Sequence, residues 1–487
     1  MRAKKRLSML LALISVITLV SGCQQATPTP SPAAPEPTEE PAPPTEEPAP
    51  PTEEPAPPTE EPEPTPVPEE SVTIGIWAMG SETEQAKAFR DEVVKRFKEE
   101  TGIEVNYEFV PWEDAYGKIT TAIAAGEGAD VLQMGTTWVA VMMSTGAFVD
   151  LTDDVGTVFP SGDAFTPGAW ATSGFGGQVY AIPWFSDIRG MIYRKDLWSE
   201  AGYPDGPQTW EEMKEGALKI QEAHPELESV IGLRGQGFSH YVGSFFWQNC
   251  GDFISEDGGT TTYNDPRNME ATQYWVDLIV EDGSIAMANA EWTNDDIIAR
   301  FWEGNVALMF MGPDFVNAAT PEQIEALGDK IAIGPQPRGY EGCRYGFVGG
   351  SNLMLFDYSK HKDEAKQLIA FLARPEIQAL KATLQNEAPA VKEAYEIADL
   401  ETGWWPGFFE AAAHGWHFGI HPAWGGNVEA LVPELVIDIW AAIVGGTYTE
   451  TTVQELLDQT NVEAQKRLDE AGGAPEGYQA PWPQPNP

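Results

Sequence analysis

The chain has 487 residues and a formal net charge of −46. Such acidity excludes nucleic acid and anionic lipid headgroups as direct partners, because both repel a negative surface. A globular part of about 400 residues is too long for one hydrophobic core, so we expect two lobes.

The N-terminus carries a targeting signal. Basic residues between Arg2 and Arg6 precede an apolar run, 7–20, that is shorter than the ~20 residues a bilayer crossing needs. We therefore predict a signal peptide over 1–22. The run ends in Val20-Ser21-Gly22-Cys23, which is similar to a bacterial lipobox and predicts lipidation of Cys23. The alternative is an ordinary secreted protein with an incidental cysteine.

Residues 23–70 are rich in Pro, Thr and Glu, and Pro-Thr-Glu-Glu recurs every seven residues between Pro37 and Glu61. A coiled coil is excluded because the repeat has no apolar positions and proline breaks helices. We predict a disordered, stiff tether that spans up to about 150 Å at ~3.1 Å per residue.

Strands and amphipathic helices alternate after the tether. We predict strands at Val72–Trp77, Ile103–Val110 and Ala129–Met134, and helices at Gln85–Glu100 and Ala115–Ala125. This order implies parallel strands, and ligands of parallel sheets bind at the carboxyl ends of the strands. Residues 77–82 and 134–138, each with an indole and short polar groups, are therefore candidate ligand loops.

The rest of the chain is organised around the stretch 181–213. It opens as a strand in which polar Asp187 and Arg189 interrupt apolar residues, which also fits an edge strand with one solvated face. Thr209 and Glu212 then predict a capping box at the start of a helix.

Several motifs occur in one order over residues 72–470. Phe97–Val105 reads F-x-x-x-T-G-I-x-V, and further motifs follow at Ala129–Val131, Pro183–Leu197, Pro207–Glu212 and 301–313. Together they resemble the family 1 extracellular solute-binding proteins, the maltose-binding-protein-like partners of ABC importers. Arg194 stands where that family usually has Asn, and Asp314-Phe315 where it commonly has Trp.

The resemblance implies an α/β, periplasmic-binding-protein-like fold. Two α/β lobes would be joined by a three-crossover hinge, with the ligand cleft between them. We expect an N-terminal lobe of 71–185 and 350–387, a C-terminal lobe of 186–349 and 388–472, and a loose Pro-rich tail over 473–487.

The resemblance also implies a set of ligand-binding residues. Asp187 aligns with an acidic crossover residue that receives sugar hydroxyls in maltose-type members. The full set is Trp77, Ser81, Glu82, Thr136, Thr137, Trp138, Asp187, Tyr241, Gly312, Asp314, Gly350, Ser351 and Trp424.

Two clusters of reactive residue types leave alternatives open. Cys250 and Cys343 fit either a disulfide or two free thiols. His414, His417 and His421 have a spacing that would align on a helix and bind a metal, but the glycines and proline around them favour a loop. We predict no metal and no cofactor.

No catalytic motif stands out, and abundant carboxylates do not by themselves indicate a glycosidase. The chain has 17 tryptophans, whose indole rings can stack on the apolar C–H faces of sugar rings, although we expect many of them in the core. We therefore expect a monomeric, lipid-anchored, extracytoplasmic protein that captures an oligosaccharide and delivers it to an ABC permease. The alternatives are a binding protein for a polyol or a glycerol phosphodiester, a receptor without a permease, and a surface glycosidase.

Overall fold

The computed structural model describes residues 72–235, 239–418, 421–475, 478 and 485. The predicted signal peptide, Cys23 and the tether lie outside the described residues. The strands are β1 (Thr73–Met79), β2 (Glu104–Val110), β3 (Val131–Gly135), β4 (Gly174–Phe175), β5 (Gln178–Val179), β6 (Ala181–Ile188), β7 (Gly190–Arg194), β8 (Ser229–Gly232), β9 (Val306–Met311), β10 (Ile331–Gly334), β11 (Gly346–Leu355), β12 (Ala388–Pro389) and β13 (Gly415–Trp416).

Helices cover both sheets. They are α1 (Glu84–Thr101), α2 (Trp112–Ala125), α3 (Val139–Met143), α4 (Pro167–Ala171), α5 (Lys195–Glu200), α6 (Trp210–Ala223), α7 (Ser239–Gln248), α8 (Pro266–Val280), α9 (Asn294–Trp302), α10 (Pro321–Leu327), α11 (Lys362–Leu372), α12 (Pro375–Gln385), α13 (Ala394–Ile397), α14 (Trp405–Ala413), α15 (Leu431–Val444) and α16 (Thr452–Glu470). Among the described residues, none of these helices combines the length and apolarity that a membrane crossing requires.

The first lobe is built on a seven-stranded sheet of order β12-β6-β11-β3-β1-β2, with β13 added to β11. β1 runs parallel to β2 and β3, as the alternating pattern predicted. Thr83 caps α1 by accepting the Ala86 N–H, and Gly102 ends it in the left-handed conformation at φ 75°. The apolar face of α1 packs into the core of this sheet, together with α11 and α12.

The second lobe is built on a four-stranded sheet of order β10-β7-β9-β8. Helices α6 to α8, α15 and α16 enclose one core and α9 and α14 another. Several tryptophans are fully buried in this lobe, which confirms the expectation that many are core residues; they are Trp198, Trp210, Trp247, Trp275 and Trp302. Thr209 caps α6, but Glu212 accepts the Gln208 N–H rather than that of Thr209, so the predicted capping box is incomplete.

The lobes are connected through strands that lie side by side. β6 pairs antiparallel with β11, and β7 continues the chain directly into the second sheet. β12 also pairs with β6, through Ala388 and Ser186, so the first sheet extends beyond the boundary predicted after residue 387. Gly350 lies in this pairing at φ 142°, and a Cβ there would sit 2.1 Å from the Phe185 carbonyl oxygen. Only glycine fits at that position.

A disulfide joins Cys250, just after α7, to Cys343 in the loop before β11, with their Cα atoms 5.2 Å apart. The pairing resolves the alternatives that the sequence left open. The three clustered histidines lie on different backbone segments: His414 caps α14, His417 follows β13 and His421 precedes a turn at Trp424–Val428. Among the described residues no group of three or more metal-ligating side chains is found.

Candidate functional site

Arg189 stands where the chain passes from the first sheet to the second, between β6 and β7. Its backbone N–H donates to the Phe347 carbonyl at 2.9 Å, and its carbonyl accepts from Gln336 Nε2 at 2.9 Å. Both backbone groups are satisfied, so the side chain projects from a fixed point at the hinge.

Four of the predicted ligand residues surround this guanidinium. Arg189 Nη2 lies 2.7 Å from Asp187 Oδ2, and Nη1 lies 3.9 Å from Asp314 Oδ1. The Tyr241 ring centre is 5.5 Å from the guanidinium carbon. A Cβ on Gly312 would come within 2.7 Å of both Arg189 Nη1 and Asp314 Oδ1, so a larger residue there would displace these side chains. We call Asp187, Arg189, Tyr241, Gly312 and Asp314 the hinge cluster.

The hinge cluster is partly desolvated. Burial raises the pKa of Asp187 to about 6, Arg189 opposes this, and Asp314 and Glu387 add to it. Burial acts to lower the pKa of Arg189, but Asp187, Tyr241 and Asp314 together more than offset it, so the net shift is upward. The guanidinium is therefore charged throughout, while Asp187 is ionised at neutral pH and protonated in mild acid.

Aromatic side chains gather at the carboxyl ends of β2 and β3. The Trp138 ring meets Trp112 at 5.7 Å and Tyr116 at 5.2 Å, both edge to face. Trp112 lies over Gly135, where a Cβ would be 3.4 Å from its ring. All three rings are only partly buried, so indole surface remains available to a ligand. We call Trp112, Tyr116 and Trp138 the aromatic cluster.

The lobes touch beside the aromatic cluster. The Tyr116 hydroxyl is 3.5 Å from the Gly425 carbonyl, and a Cβ on Gly425 would be 2.3 Å from the Thr137 carbonyl oxygen. Glu429 accepts a 2.6 Å hydrogen bond from Ser239 Oγ. Burial raises the pKa of Glu429, while hydrogen bonds from Ser239 and Thr137 oppose the rise. The cleft is therefore closed at this edge.

The two clusters lie at one edge of the first sheet. β11 pairs antiparallel with β3 through Ser351 and Gly135, and antiparallel with β6 through Gly349 and Asp187. β3 and β6 therefore run in the same direction, and their carboxyl ends reach the same edge of the sheet. Trp138 follows β3 and Asp187 lies near the end of β6, so the two clusters share this edge.

Two predicted aromatic platforms lie in the core instead. Trp77 is 9% exposed and packs edge to face on Phe356. It sits inside β1, which runs two residues further than predicted. Trp424 is 2% exposed and stacks on Phe418 at 4.7 Å. Neither buried ring offers a face to a ligand in the cleft.

The remaining predicted residues have other surroundings. Ser351 is 1% exposed and accepts from Gln133 Nε2 at 2.8 Å within the first sheet, and Gly350 is a backbone crossing point. Ser81 and Glu82 are exposed after β1, where Glu82 pairs with Arg90 at 2.9 Å. Thr136 and Thr137 adjoin Trp138, and Thr137 lies at the contact between the lobes.

Sequence reasoning missed Trp112, Tyr116 and the role of Arg189. Trp112 follows β2 just as Trp138 follows β3, so the strand-end argument that selected Trp138 also applies to it. Tyr116 is one helical turn further on, on the same face of α2. Arg189 was visible as a polar residue in the crossover, but its partner Asp314 is distant in sequence.

Two α/β lobes, joined by neighbouring strands and carrying a charged and an aromatic cluster at one cleft, define a two-lobed ligand-binding protein of the periplasmic-binding type. The sequence profile of the family described as bacterial extracellular solute-binding protein matches residues 79–379, and the chain belongs to that family.

Relatives and solved structures agree with this assignment. The chain is 28% identical over 388 residues to the diacetylchitobiose binding protein DasA of Streptomyces coelicolor, covering 76% of this chain and 81% of DasA. It is 23% identical to the maltotriose-binding protein of Pyrococcus abyssi, covering 69% and 71%. Its fold is similar to that of the GacH receptor of Streptomyces glaucescens, with a TM-score of 0.72 at 22% identity, covering 82% of this chain and 100% of that one.

Proposed function

We propose that this protein captures a neutral oligosaccharide between its lobes and delivers it to an ABC importer permease. The observation that carries the proposal is the placement of partly exposed indoles, Trp112 and Trp138, at the same cleft as the Asp187–Arg189 pair. Sugar rings stack their C–H faces on indole, and their hydroxyls pair with carboxylate and guanidinium groups.

The charges of the hinge cluster favour a neutral ligand. Asp187 is in direct contact with Arg189, and Asp314 and Glu387 add negative charge nearby. A phosphodiester would need an uncompensated guanidinium, which this arrangement does not supply. A linear polyol has no ring face and would leave the aromatic cluster unused. Diacetylchitobiose and maltotriose, named for two of the relatives, are ligands with the required ring faces.

We assign no catalytic step to the cleft. Asp187 and Asp314 both face Arg189, and Asp187 is engaged by it at 2.7 Å. A glycosidase needs one carboxyl group held protonated as a general acid and another free to act on the opposite side of the glycosidic bond. Two carboxylates gathered on one guanidinium do not supply this division of roles.

Delivery requires an extracytoplasmic protein held near its permease, and the family is extracellular. The proposed anchor is a lipid on Cys23, with the Pro-Thr-Glu-rich tether holding the two lobes off the membrane as a monomer. Ligand bound by both lobes favours the closed form over the open one, and the closed form would be the one recognised by the permease.

Isothermal titration calorimetry of the full chain tests the ligand class. The panel is maltotriose, diacetylchitobiose, ribitol and glycerophosphocholine. We expect binding of at least one of the two sugars and a loss of tenfold or more in Asp187→Asn and Trp138→Ala. The matched control is Asp153→Asn, an exposed aspartate outside both clusters. Binding of the phosphodiester alone, or unchanged sugar affinity in both variants, would contradict the proposal.

A further inference from the structure

Tyr478 lies in the tail that the sequence predicts to be loose, yet its side chain is packed. Its ring meets the His421 ring edge to face at 5.0 Å and the Phe175 ring at 6.1 Å. A Cβ on Gly258 would lie 2.4 Å from Tyr478 Cδ1, so the ring rests directly on the backbone there. The Tyr478 N–H donates to the Pro475 carbonyl at 3.0 Å.

The partners of this ring belong to different lobes. Phe175 is in the β4–β5 hairpin, which the first lobe holds through a hydrogen bond from the Leu151 N–H to the Val179 carbonyl at 2.7 Å. Gly258 lies in a turn next to Thr261, whose N–H donates to Gln465 of α16 in the second lobe.

His421 also belongs to the second lobe. Its Nδ1 accepts from the Ala423 N–H at 3.0 Å, beside the buried Trp424. Tyr478 therefore contacts elements of both lobes.

We propose that Tyr478 is a positioning residue for ligand capture, a latch that stabilises the closed arrangement of the lobes without touching the ligand. Separating the lobes would remove the ring from either Phe175 or from Gly258 and His421, and so would expose aromatic surface. The latch thus makes the closed arrangement more favourable before ligand binds, so less of the binding free energy is used to close the lobes. Loss of this aromatic contact predicts an affinity about three- to tenfold weaker. The effect on affinity rests on the proposed function, but the effect on closure does not.

Hydrogen–deuterium exchange of the ligand-free full chain tests the latch. Tyr478→Ala should accelerate exchange in Thr136–Trp138, which contacts the second lobe at Gly425, away from the Tyr478 ring. Tyr478→Phe keeps the ring and should exchange like the wild type. Phe175→Ala removes the partner on the first lobe and should reproduce the Tyr478→Ala pattern. Faster exchange confined to the peptides around Gly258, His421 and the adjoining Trp424 would overturn the proposal, because that is the result of lost local packing alone.

Calorimetry with maltotriose and diacetylchitobiose gives the second readout. Tyr478→Ala should weaken binding about three- to tenfold, mainly through faster dissociation, and Tyr478→Phe should not. Unchanged affinity in Tyr478→Ala would overturn the role in capture. If neither sugar binds the wild-type chain, the proposed function fails, while the exchange measurement still decides whether the latch exists.

Discussion

The raised pKa of Asp187 predicts that ligand affinity falls in mild acid. Sugar hydroxyls donate to an ionised carboxylate, so binding requires Asp187 without its proton. With a pKa of about 6, Asp187 is mostly ionised at pH 7 and mostly protonated at pH 5. A ligand that binds only the ionised form must displace this proton at pH 5. Its affinity is therefore about tenfold weaker at pH 5 than at pH 7, or about 1.4 kcal/mol.

The direction of the stability effect separates this loss from unfolding. The pKa of Asp187 in the folded chain is above its ordinary value of 3.8, so its protonation stabilises the fold. This contribution to the free energy of unfolding is fully present below pH 4 and is lost as the pH rises to about 6. Acidification from pH 7 to pH 5 therefore weakens ligand binding, whereas the protonation of Asp187 over the same range stabilises the folded state.

Calorimetry at pH 5, 6 and 7 with the tightest-binding sugar of the panel measures the effect. Asp187→Asn should bind more weakly at pH 7 and show no comparable pH dependence, whereas Asp153→Asn should follow the wild type. Burial also raises the pKa of Glu387, so the Asp187→Asn variant is what assigns the titration. A wild-type change below twofold, or the same pH dependence in Asp187→Asn, would refute the reasoning.

Three further predictions concern affinity and stability. Trp138→Ala should weaken sugar binding at little cost in stability, while Trp77→Ala should lower the free energy of unfolding by about 3–5 kcal/mol, as calorimetry and urea unfolding can show. Lys381 is buried among aromatic rings and its ammonium lies 2.7 Å from the Glu387 carboxylate. Lys381→Met should therefore lower the free energy of unfolding by about 3–5 kcal/mol, and the double variant Lys381→Met/Glu387→Gln should recover part of that loss. A double variant with the same urea midpoint as Lys381→Met would contradict a buried ion pair. Gly350→Ala should lower the free energy of unfolding by more than about 2 kcal/mol, because its Cβ would clash with the Phe185 carbonyl oxygen. A soluble variant with an unchanged melting temperature would disprove this close approach.

The fold was predictable because its signals are local. The alternating strands and helices from β1 to β3 follow from periodicity, and Thr83, Thr209 and Gly102 act at helix ends as their residue types indicate. The capping residue Glu212 was mispredicted in one detail, because its carboxylate reached the neighbouring N–H of Gln208 instead.

The site was only partly predictable, because strand ends and side-chain directions are fixed by neighbours distant in sequence. Trp77 and Trp138 both stand near strand ends with small polar residues close by in sequence. β1 continues two residues past Trp77, which places its ring against Phe356 in the core. Trp138 follows β3 in a turn and remains accessible. Arg189 pairs with Asp187 two residues away, and the chain after β9 brings Asp314 to the same guanidinium from a distant part of the sequence.

The central claim is that the cleft binds a neutral sugar through both lobes. The most direct measurement is the melting temperature of the full chain with and without maltotriose and diacetylchitobiose, repeated in a Trp138→Ala/Asp187→Asn double variant. We expect stabilisation of about 2–3 kcal/mol at a hundredfold excess over Kd for at least one sugar, and none in the double variant. A chain that neither sugar stabilises, or a double variant that either sugar stabilises as fully as the wild type, would contradict it.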